Sequence, residues 1–425
     1  MHFDALEDWL SWQENLHAKP IDLGLGRVAR VYQALNPEQR KPVTIIVGGT
    51  NGKGSCIAFL ESIYRAAGFR VGTYTSPHIL KYNERIKVAG KPVSDQAICE
   101  AFERIEAARD DISLSYFEFG TLAALDIFWR SNLDIQLLEV GLGGRLDAVN
   151  IIDADVAIVT TICIDHTDWL GETREAIGQE KSGIFRAGVP AVIGDPEPPA
   201  SLIKSALKIQ AKVYAVGKEF SYQKTPESWQ WILNGQIIFD DLPRPALIGE
   251  QQYRNASTAM MAVELLQKKL PIETSNFIQG LTNAHLTGRF QLIDGEIPVL
   301  LDVGHNPQAV RMLAAGLETY FPKQRIHAIF AMMKDKDIGG VVQIMKPYVL
   351  NWYIAPLDHT RIAEQSVIAE VLKEQKVKNL AYGFSDFTET FNTALTNARQ
   401  GDLVLIFGSF FLVSAYFNAF SKEMA

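Results

Sequence analysis

The sequence predicts an α/β protein of two domains, each built on a mostly parallel sheet. Three observations carry that expectation. Apolar, strand-like runs alternate with helix-like runs through most of the chain, the signature of a parallel sheet covered on both faces. A glycine-rich turn, Gly48-Gly49-Thr50-Asn51-Gly52-Lys53-Gly54-Ser55, stands between one such strand and one such helix. And 425 residues exceed what one ordinary hydrophobic core organises.

In the first domain, residues 43–47, 70–75, 134–140 and 155–161 read as strands, and 55–67, 94–108, 117–131 and 174–185 as helices. Residues 191–193 and 212–215, with a helix between them, extend the sheet. From 219 to 243 the pattern shortens and alternates around Trp229, Trp231 and Asn234-Gly235, which predicts a small antiparallel hairpin; 251–268 then reads as a long helix. A second series starts after Thr287-Gly288-Arg289-Phe290. Its strands are 299–303, 327–332, 352–354 and 403–407, and its helices 308–319, 338–345, 363–374 and 387–399. The boundary falls at 287/288, giving domains 1–287 and 288–425 with a hinge at 286–288 and a ligand cleft expected between them. In class terms these are a P-loop NTPase-like N-terminal domain and a smaller Rossmann-like C-terminal one.

Composition narrows the function. An apolar fraction of 47% and a charged fraction of 21% are those of a soluble globular protein. The net charge of −8, without a Lys/Arg-rich block, disfavours a nucleic-acid partner. The three cysteines, Cys56, Cys99 and Cys163, are far apart, so neither a zinc site nor a disulfide framework is indicated, and a reducing cytoplasm fits. Met1 to Asp8 lacks the basic-then-apolar order of a leader. Residues 403–420 are uncharged and long enough to cross a bilayer, but Gly408-Ser409 divides them into a buried strand and a helix, so no membrane partner is expected.

The glycine-rich turn is built to hold phosphate. Glycines let backbone N–H groups face an anion, the helix N-terminus adds partial positive charge, and Lys53 adds a full one. The common pattern wants Ser or Thr directly after the lysine, whereas Gly54 intervenes here. Other polar groups follow predicted strands: Thr75-Ser76-Pro77-His78, Glu139-Val140-Gly141-Leu142-Gly143-Gly144-Arg145, and Asp165-His166-Thr167-Asp168. That edge is where open α/β sheets bind ligands. Glu139, at a strand end beside a phosphate turn, is a candidate Mg²⁺ ligand, because magnesium takes few protein oxygens and fills its shell with water and phosphate. On its own His166 reads more readily as a structural histidine. The run Gly141–Gly144 lacks the G-x-G-x-x-G spacing of a dinucleotide fingerprint. Asp302-Val303-Gly304-His305-Asn306-Pro307 repeats the polar strand end in the second domain.

Taken together, these segments resemble the folylpolyglutamate synthase/dihydrofolate synthase family, a branch of the Mur-ligase-like ATP-dependent amide ligases. The likeness spans nearly the whole chain. Besides the segments above it rests on Ile21-Asp22-Leu23-Gly24-Leu25, Tyr116-Phe117-Glu118, Leu146-Asp147-Ala148, Glu180-Lys181, Gly288-Arg289-Phe290 and Gly408-Ser409-Phe410. Gly54 is normal in this family; Gly304 departs from it, since the family often has Ala there.

The resemblance implies an ATP-dependent ligase acting through an acyl phosphate. It would join L-glutamate to dihydropteroate and extend tetrahydrofolates with further glutamates. Thr50, Asn51, Gly52, Lys53, Gly54 and Ser55 would hold the phosphates, and Asn255, Arg289 and Asp302 would also contact ATP. Ser76, Glu139 and His166 would hold Mg²⁺. Lys181 matches a lysine that is carbamylated in relatives and would then bind a second Mg²⁺; a monovalent cation is a further expectation. Asp22, Leu23, Gly24 and Leu25, Ser115, Tyr116, Phe117 and Glu118, and Leu146, Asp147 and Ala148 would bind the pterin substrate. Lys53, Lys181 and His305 would carry the catalytic roles, in a monomer. A monofunctional folylpolyglutamate synthase and an ATP-hydrolysing switch are the competing readings.

Overall fold

A computed structural model describes residues 3–19, 21–35 and 41–420; Met1 and His2, part of the segment read against a leader, lie outside them. The chain forms two compact units, one of residues 1–246 and 253–285, the other of 247–252 and 286–425. The short 247–252 segment thus groups with the second unit, which a single cut at 287/288 does not capture.

The first unit opens with α1 (Leu6–Glu14) and α2 (Gly26–Leu35), followed by β1 (Val43–Gly48), α3 (Lys53–Ala66), β2 (Val71–Tyr74), β3 (Ile86–Val88) and β4 (Lys91–Pro92). Next come α4 (Asp95–Arg109), α5 (Tyr116–Arg130), β5 (Ile135–Glu139), β6 (Val156–Val159), α6 (Thr167–Leu170) and α7 (Arg174–Lys181). The unit continues with β7 (Pro190–Ile193), α8 (Ala200–Lys208), β8 (Lys212–Ala215), β9 (Phe220–Lys224), β10 (Trp229–Leu233) and β11 (Gln236–Leu242). After α9 (Glu250–Leu266) it ends with α10 (Thr274–Asn283).

Its main sheet has the order β4-β3-β2-β5-β1-β6-β7-β8 and is parallel from β2 to β8. The central strands β5 and β6 are buried along their whole length, as continuous apolar runs require when helices cover both faces. At one edge β3 and β4 add an antiparallel hairpin that the alternation of the sequence did not announce; Pro92 sits on the outermost strand, where a missing N–H costs nothing. The 219–243 region forms a three-stranded sheet, β11-β10-β9, rather than one hairpin. Helix α7 stops at Lys181, short of the expected 185, and continues as a 3₁₀ turn, Ser182–Ile184. Within that turn Gly183 lets the chain pass close to the Arg145 backbone, since a Cβ there would stand 2.4 Å from the Arg145 Cα.

The second unit contains β12 (Gln291–Ile293), β13 (Val299–Asp302), α11 (Pro307–Tyr320), β14 (Ile326–Phe330), α12 (Ile338–Met345) and β15 (Val349–Ile354). It closes with α13 (Gln365–Glu374), β16 (Leu380–Ala381), α14 (Phe387–Asn397), β17 (Leu403–Phe407) and α15 (Phe410–Phe420). The strand order is β12-β13-β17-β14-β15-β16, with only β12 antiparallel. The core here is built from Leu300, Ala328, Phe330, Trp352, Leu405 and Phe407 and the inner faces of α11, α12 and α13. The uncharged 403–420 stretch is a buried strand followed by a helix, and among the described residues no helix is long and apolar enough to cross a membrane.

Candidate functional site

The glycine-rich turn joins β1 to α3, and two of its glycines have left-handed backbone, Gly49 at φ 138° and Gly52 at φ 91°. Close approach adds to that demand. A Cβ on Gly49 would lie 1.9 Å from Thr160 Oγ1, and one on Gly52 2.8 Å from Asn255 Oδ1. Asn255, buried on α9, therefore sits directly against the turn.

The end of β6 holds the turn in shape. Thr50 N–H donates to the Thr161 carbonyl (2.6 Å) and Asn51 N–H to Thr161 Oγ1 (3.3 Å). The Thr160 and Thr161 hydroxyls both donate to the Asn51 carbonyl, at 2.7 and 3.0 Å. The Thr50 and Asn51 amides are thus committed inward. The amides of Lys53, Gly54 and Ser55, in the first turn of a 14-residue helix, have no intrahelical acceptor, and the N-cap residue Gly52 offers no capping side chain. An anion would meet that end of α3. Thr160 and Thr161 escaped the sequence reading, although a polar pair ending an apolar strand is the same signal that marked Glu139.

Two lysines meet at this turn. Lys53 Nζ donates to the Gly49 and Thr50 carbonyls, both at 3.2 Å, and Lys181 Nζ donates to the same Gly49 carbonyl at 3.0 Å. Lys53 also lies 3.9 Å from Glu139 Oε1. Lys181 is buried, and that burial, together with the charge of Lys53, pulls its amine down to about 7 against the opposing effect of Asp165 and Asp147. The Lys53 ammonium and the Lys181 amine on one carbonyl, with the Glu139 carboxylate in ion-pair range, make a place where added negative charge is stabilised.

Glu139 ends β5 beside β1, and its Oε2 accepts the Ser76 N–H at 3.2 Å, which joins two of the three expected metal ligands. His166 stands in an exposed left-handed position (φ 53°) at the start of α6, its N–H on Asp165 Oδ1. Among the described residues no cluster of three or more His, Cys, Asp or Glu could hold a metal by itself. A carboxylate beside a phosphate turn suits Mg²⁺, which leaves most positions to water and phosphate, and of the three expected ligands Ser76 and Glu139 are joined by a hydrogen bond.

The expected pterin segments also converge. Phe117 packs against Gly141, where a Cβ would come within 2.5 Å of its ring. Tyr116 packs edge-on against Tyr82, and the Arg85 guanidinium stands over both rings. Arg85 Nε donates to His78 Nδ1 (2.9 Å); burial and that cation push the His78 imidazole down to about 4, so it stays neutral. Asp147 accepts from Leu142 N–H (2.8 Å) and Val149 N–H (3.1 Å), yet its burial lifts its carboxyl to about 6. Leu146 and Ala148 flank it, and the Arg145 N–H donates to the Glu180 carbonyl at 2.9 Å, tying this segment to the end of α7 that carries Lys181. Asp22 and Glu118 are bridged by Arg27, and Leu23, Gly24 and Leu25, which follow Asp22, are half-buried.

In the second unit Asp302 ends β13. Its two oxygens accept from the Gly304 N–H (2.7 Å) and the Phe290 N–H (3.0 Å). Burial raises its carboxyl above the usual range, against the pull of Arg289 and those two amides. Phe290 holds φ 46°, an uncommon left-handed backbone for a bulky residue, and the turn it makes is what presents its N–H to Asp302. The Arg289 guanidinium lies 5.2 Å from the Phe410 ring centre and the His305 ring 6.0 Å from it. His305 Nδ1 donates to the Val303 carbonyl (2.9 Å), which fixes Nε2 as the ring nitrogen able to accept a proton. The substitution of Gly for Ala at 304 matters locally, since a Cβ there would stand 2.7 Å from Asp302 Oδ1.

Comparisons with known proteins identify the family. Residues 47–263 match the Mur ligase middle domain and residues 288–410 the Mur ligase glutamate ligase domain. The dihydrofolate synthase/folylpolyglutamate synthase of Escherichia coli K12 is 42% identical over 96% of this chain and 94% of its own length. The enzyme of that name from Bacillus subtilis is 30% identical over 97% and 98%. The Escherichia coli FolC structure with DHPP and ADP superposes with a TM-score of 0.93 at 40% identity, covering 99% of both chains. The Yersinia pestis bifunctional folylpolyglutamate synthase/dihydrofolate synthase with AMPPNP and a Mn ion gives 0.91 at 40% identity over 98% of both. The chain therefore belongs to the Mur ligases, in their dihydrofolate synthase/folylpolyglutamate synthase family.

Proposed function

We propose that this protein is an ATP-dependent ligase that joins L-glutamate to dihydropteroate, forming dihydrofolate, and adds further glutamates to tetrahydrofolates. The observation that carries it is the Lys53 ammonium at the uncapped start of α3, with the buried Lys181 amine donating to the same Gly49 carbonyl. A triphosphate and a carboxylate are both anions, and bringing them together needs concentrated positive charge in a desolvated place. The substrate carboxylate oxygen attacks the γ-phosphorus and ADP leaves. The glutamate amine then attacks the acyl carbon, an amide forms, and phosphate departs.

Lys53 and the Lys53, Gly54 and Ser55 amides orient the phosphates, and Asn255 supports the turn. Ser76, Glu139 and His166 would hold Mg²⁺, which supplies charge neutralisation on the transferring phosphoryl group. Lys181 in its neutral form attacks CO₂, forming an N–C bond and releasing a proton; the carbamate would be an anionic ligand for a second Mg²⁺. Its burial without a carboxylate in ion-pair contact among the described residues supports that reading. A monovalent cation rests on family likeness alone. Arg289 and Asp302 are assigned to the nucleotide, and His305, through Nε2, to the proton of the incoming amine. The protein works as a monomer in the cytoplasm, with its three cysteines free.

Purified protein should release phosphate only when ATP, Mg²⁺, L-glutamate and either dihydropteroate or a reduced folate are all present. Mass spectrometry of paired incubations should show dihydrofolate from the first and glutamate-extended products from the second. Phosphate release indifferent to glutamate would instead identify a nucleotide-hydrolysing switch; extension of tetrahydrofolate alone would identify a monofunctional enzyme.

A further inference from the structure

The two substrate segments at 22–25 and 115–118 are far apart in sequence, yet one short run just before and inside α2 ties them together. Arg27 Nη1 donates to Asp22 Oδ2 (2.6 Å), while Nη2 donates to the Asp22 carbonyl (2.8 Å) and to Glu118 Oε1 (3.0 Å). The other Glu118 oxygen accepts the Ser115 N–H (2.8 Å), closing a capping box at the start of α5. A second crossing runs through His17. Its Nε2 is 3.2 Å from Asp22 Oδ2, and its Nδ1 is 2.5 Å from Ser113 Oγ. The carboxylate can only accept and the hydroxyl can donate, so a neutral His17 satisfies both contacts as an Nε2–H tautomer.

These contacts leave Asp22 and Glu118 with donors before any substrate arrives. The hydrogen bond from His17, then the charge of Arg27, holds the Asp22 carboxyl below the usual range, so it stays ionised inside the network. Glu118 is buried, and a buried carboxylate without its partner would be costly. We infer that Arg27 and His17 are positioning residues for the pterin substrate: they clamp the 22–25 and 115–118 segments into one wall, and Asp22 and Glu118 serve that clamp as its anchors. The inference rests on the proposed assignment of those segments to the pterin.

Lysine cannot replace Arg27. Its single ammonium cannot reach three acceptors in a planar fork. Glutamine can replace His17 in part, because its amide offers one donor and one acceptor. The test measures steady-state kinetics of Arg27→Lys, His17→Phe and His17→Gln with dihydropteroate and ATP varied separately, each variant checked by thermal melting. Arg27→Lys and His17→Phe should raise the dihydropteroate KM about tenfold, leaving the ATP KM and kcat within about twofold. His17→Gln should recover most of the loss. A dihydropteroate KM unmoved in folded Arg27→Lys and His17→Phe overturns the clamp, as does a parallel rise in the ATP KM. Should Arg27→Lys fail to fold, the His17 pair decides alone. Tyr116→Ala separates the two levels. If it raises the dihydropteroate KM while the clamp variants do not, only the clamp falls. If it too has no effect, the segment assignment falls and the clamp with it.

Discussion

The carboxyl edges of the two sheets are built from opposite charges. At the first, two lysines, Lys53 and Lys181, donate to one carbonyl, and Lys181 is buried deeply enough to lose its proton near neutrality. At the second, one carboxylate, Asp302, shares two backbone N–H groups and is already satisfied. The first edge is electrostatically unfinished and gains when an anion arrives. The second is finished and serves as a fixed reference for what it orients. A protein holds an unfinished cluster of that kind at a cost in stability, and functional sites are where such costs are found.

Three substitutions sharpen that contrast. Lys53→Ala removes the full charge at the phosphate turn and should lower turnover by about 100- to 1,000-fold while the melting temperature holds. Unchanged turnover in that variant would remove Lys53 from the mechanism.

Lys181→Met should also cut activity strongly, yet raise the melting temperature of the ligand-free protein at pH 7 by roughly 2–4 °C. The sign follows from the depressed amine. Between about 7 in the folded protein and the ordinary lysine value of 10.5, the unfolded chain keeps a proton that the folded one has shed. Stability therefore rises with pH through that window, and the cost of Lys181 is fully present below it. The variant should lack this slope. A lower melting temperature in Lys181→Met would show that the site is not strained by charge.

Gly304→Ala tests the finished edge and should have the smallest effect. The added Cβ meets Asp302 Oδ1 at 2.7 Å, so the carboxylate must move slightly. The ATP KM should change within about threefold, less than about 1 kcal/mol. A loss beyond tenfold would mean that the position of Asp302 is far less tolerant than its two amide donors suggest.

Much of this was legible in the chain itself. The strands that carry Glu139 and Asp302 are short, apolar and bounded by turns, so their ends could be located, and polar residues at those ends could be picked out. The glycine-rich turn declared itself through spacing. The edge hairpin of β3 and β4 gave no such signal, because three- and two-residue strands show no periodicity. Helices α1 and α2 precede the alternating pattern, so it marks neither Arg27 on α2 nor His17 between the two helices.

By itself the sequence determined most of the local elements, the family, and which residue types stand at each strand end, because hydrophobic period and turn chemistry are properties of neighbouring residues. Only the tertiary structure decided that the Thr50 and Asn51 amides face inward onto Thr161, that Lys181 donates to the same carbonyl as Lys53, and that Arg27 joins Asp22 to Glu118. Four of those pairings join residues 91 to 132 positions apart. Their existence depends on which strands lie side by side and on how much water the packing excludes, and neither is written in any local stretch of the chain.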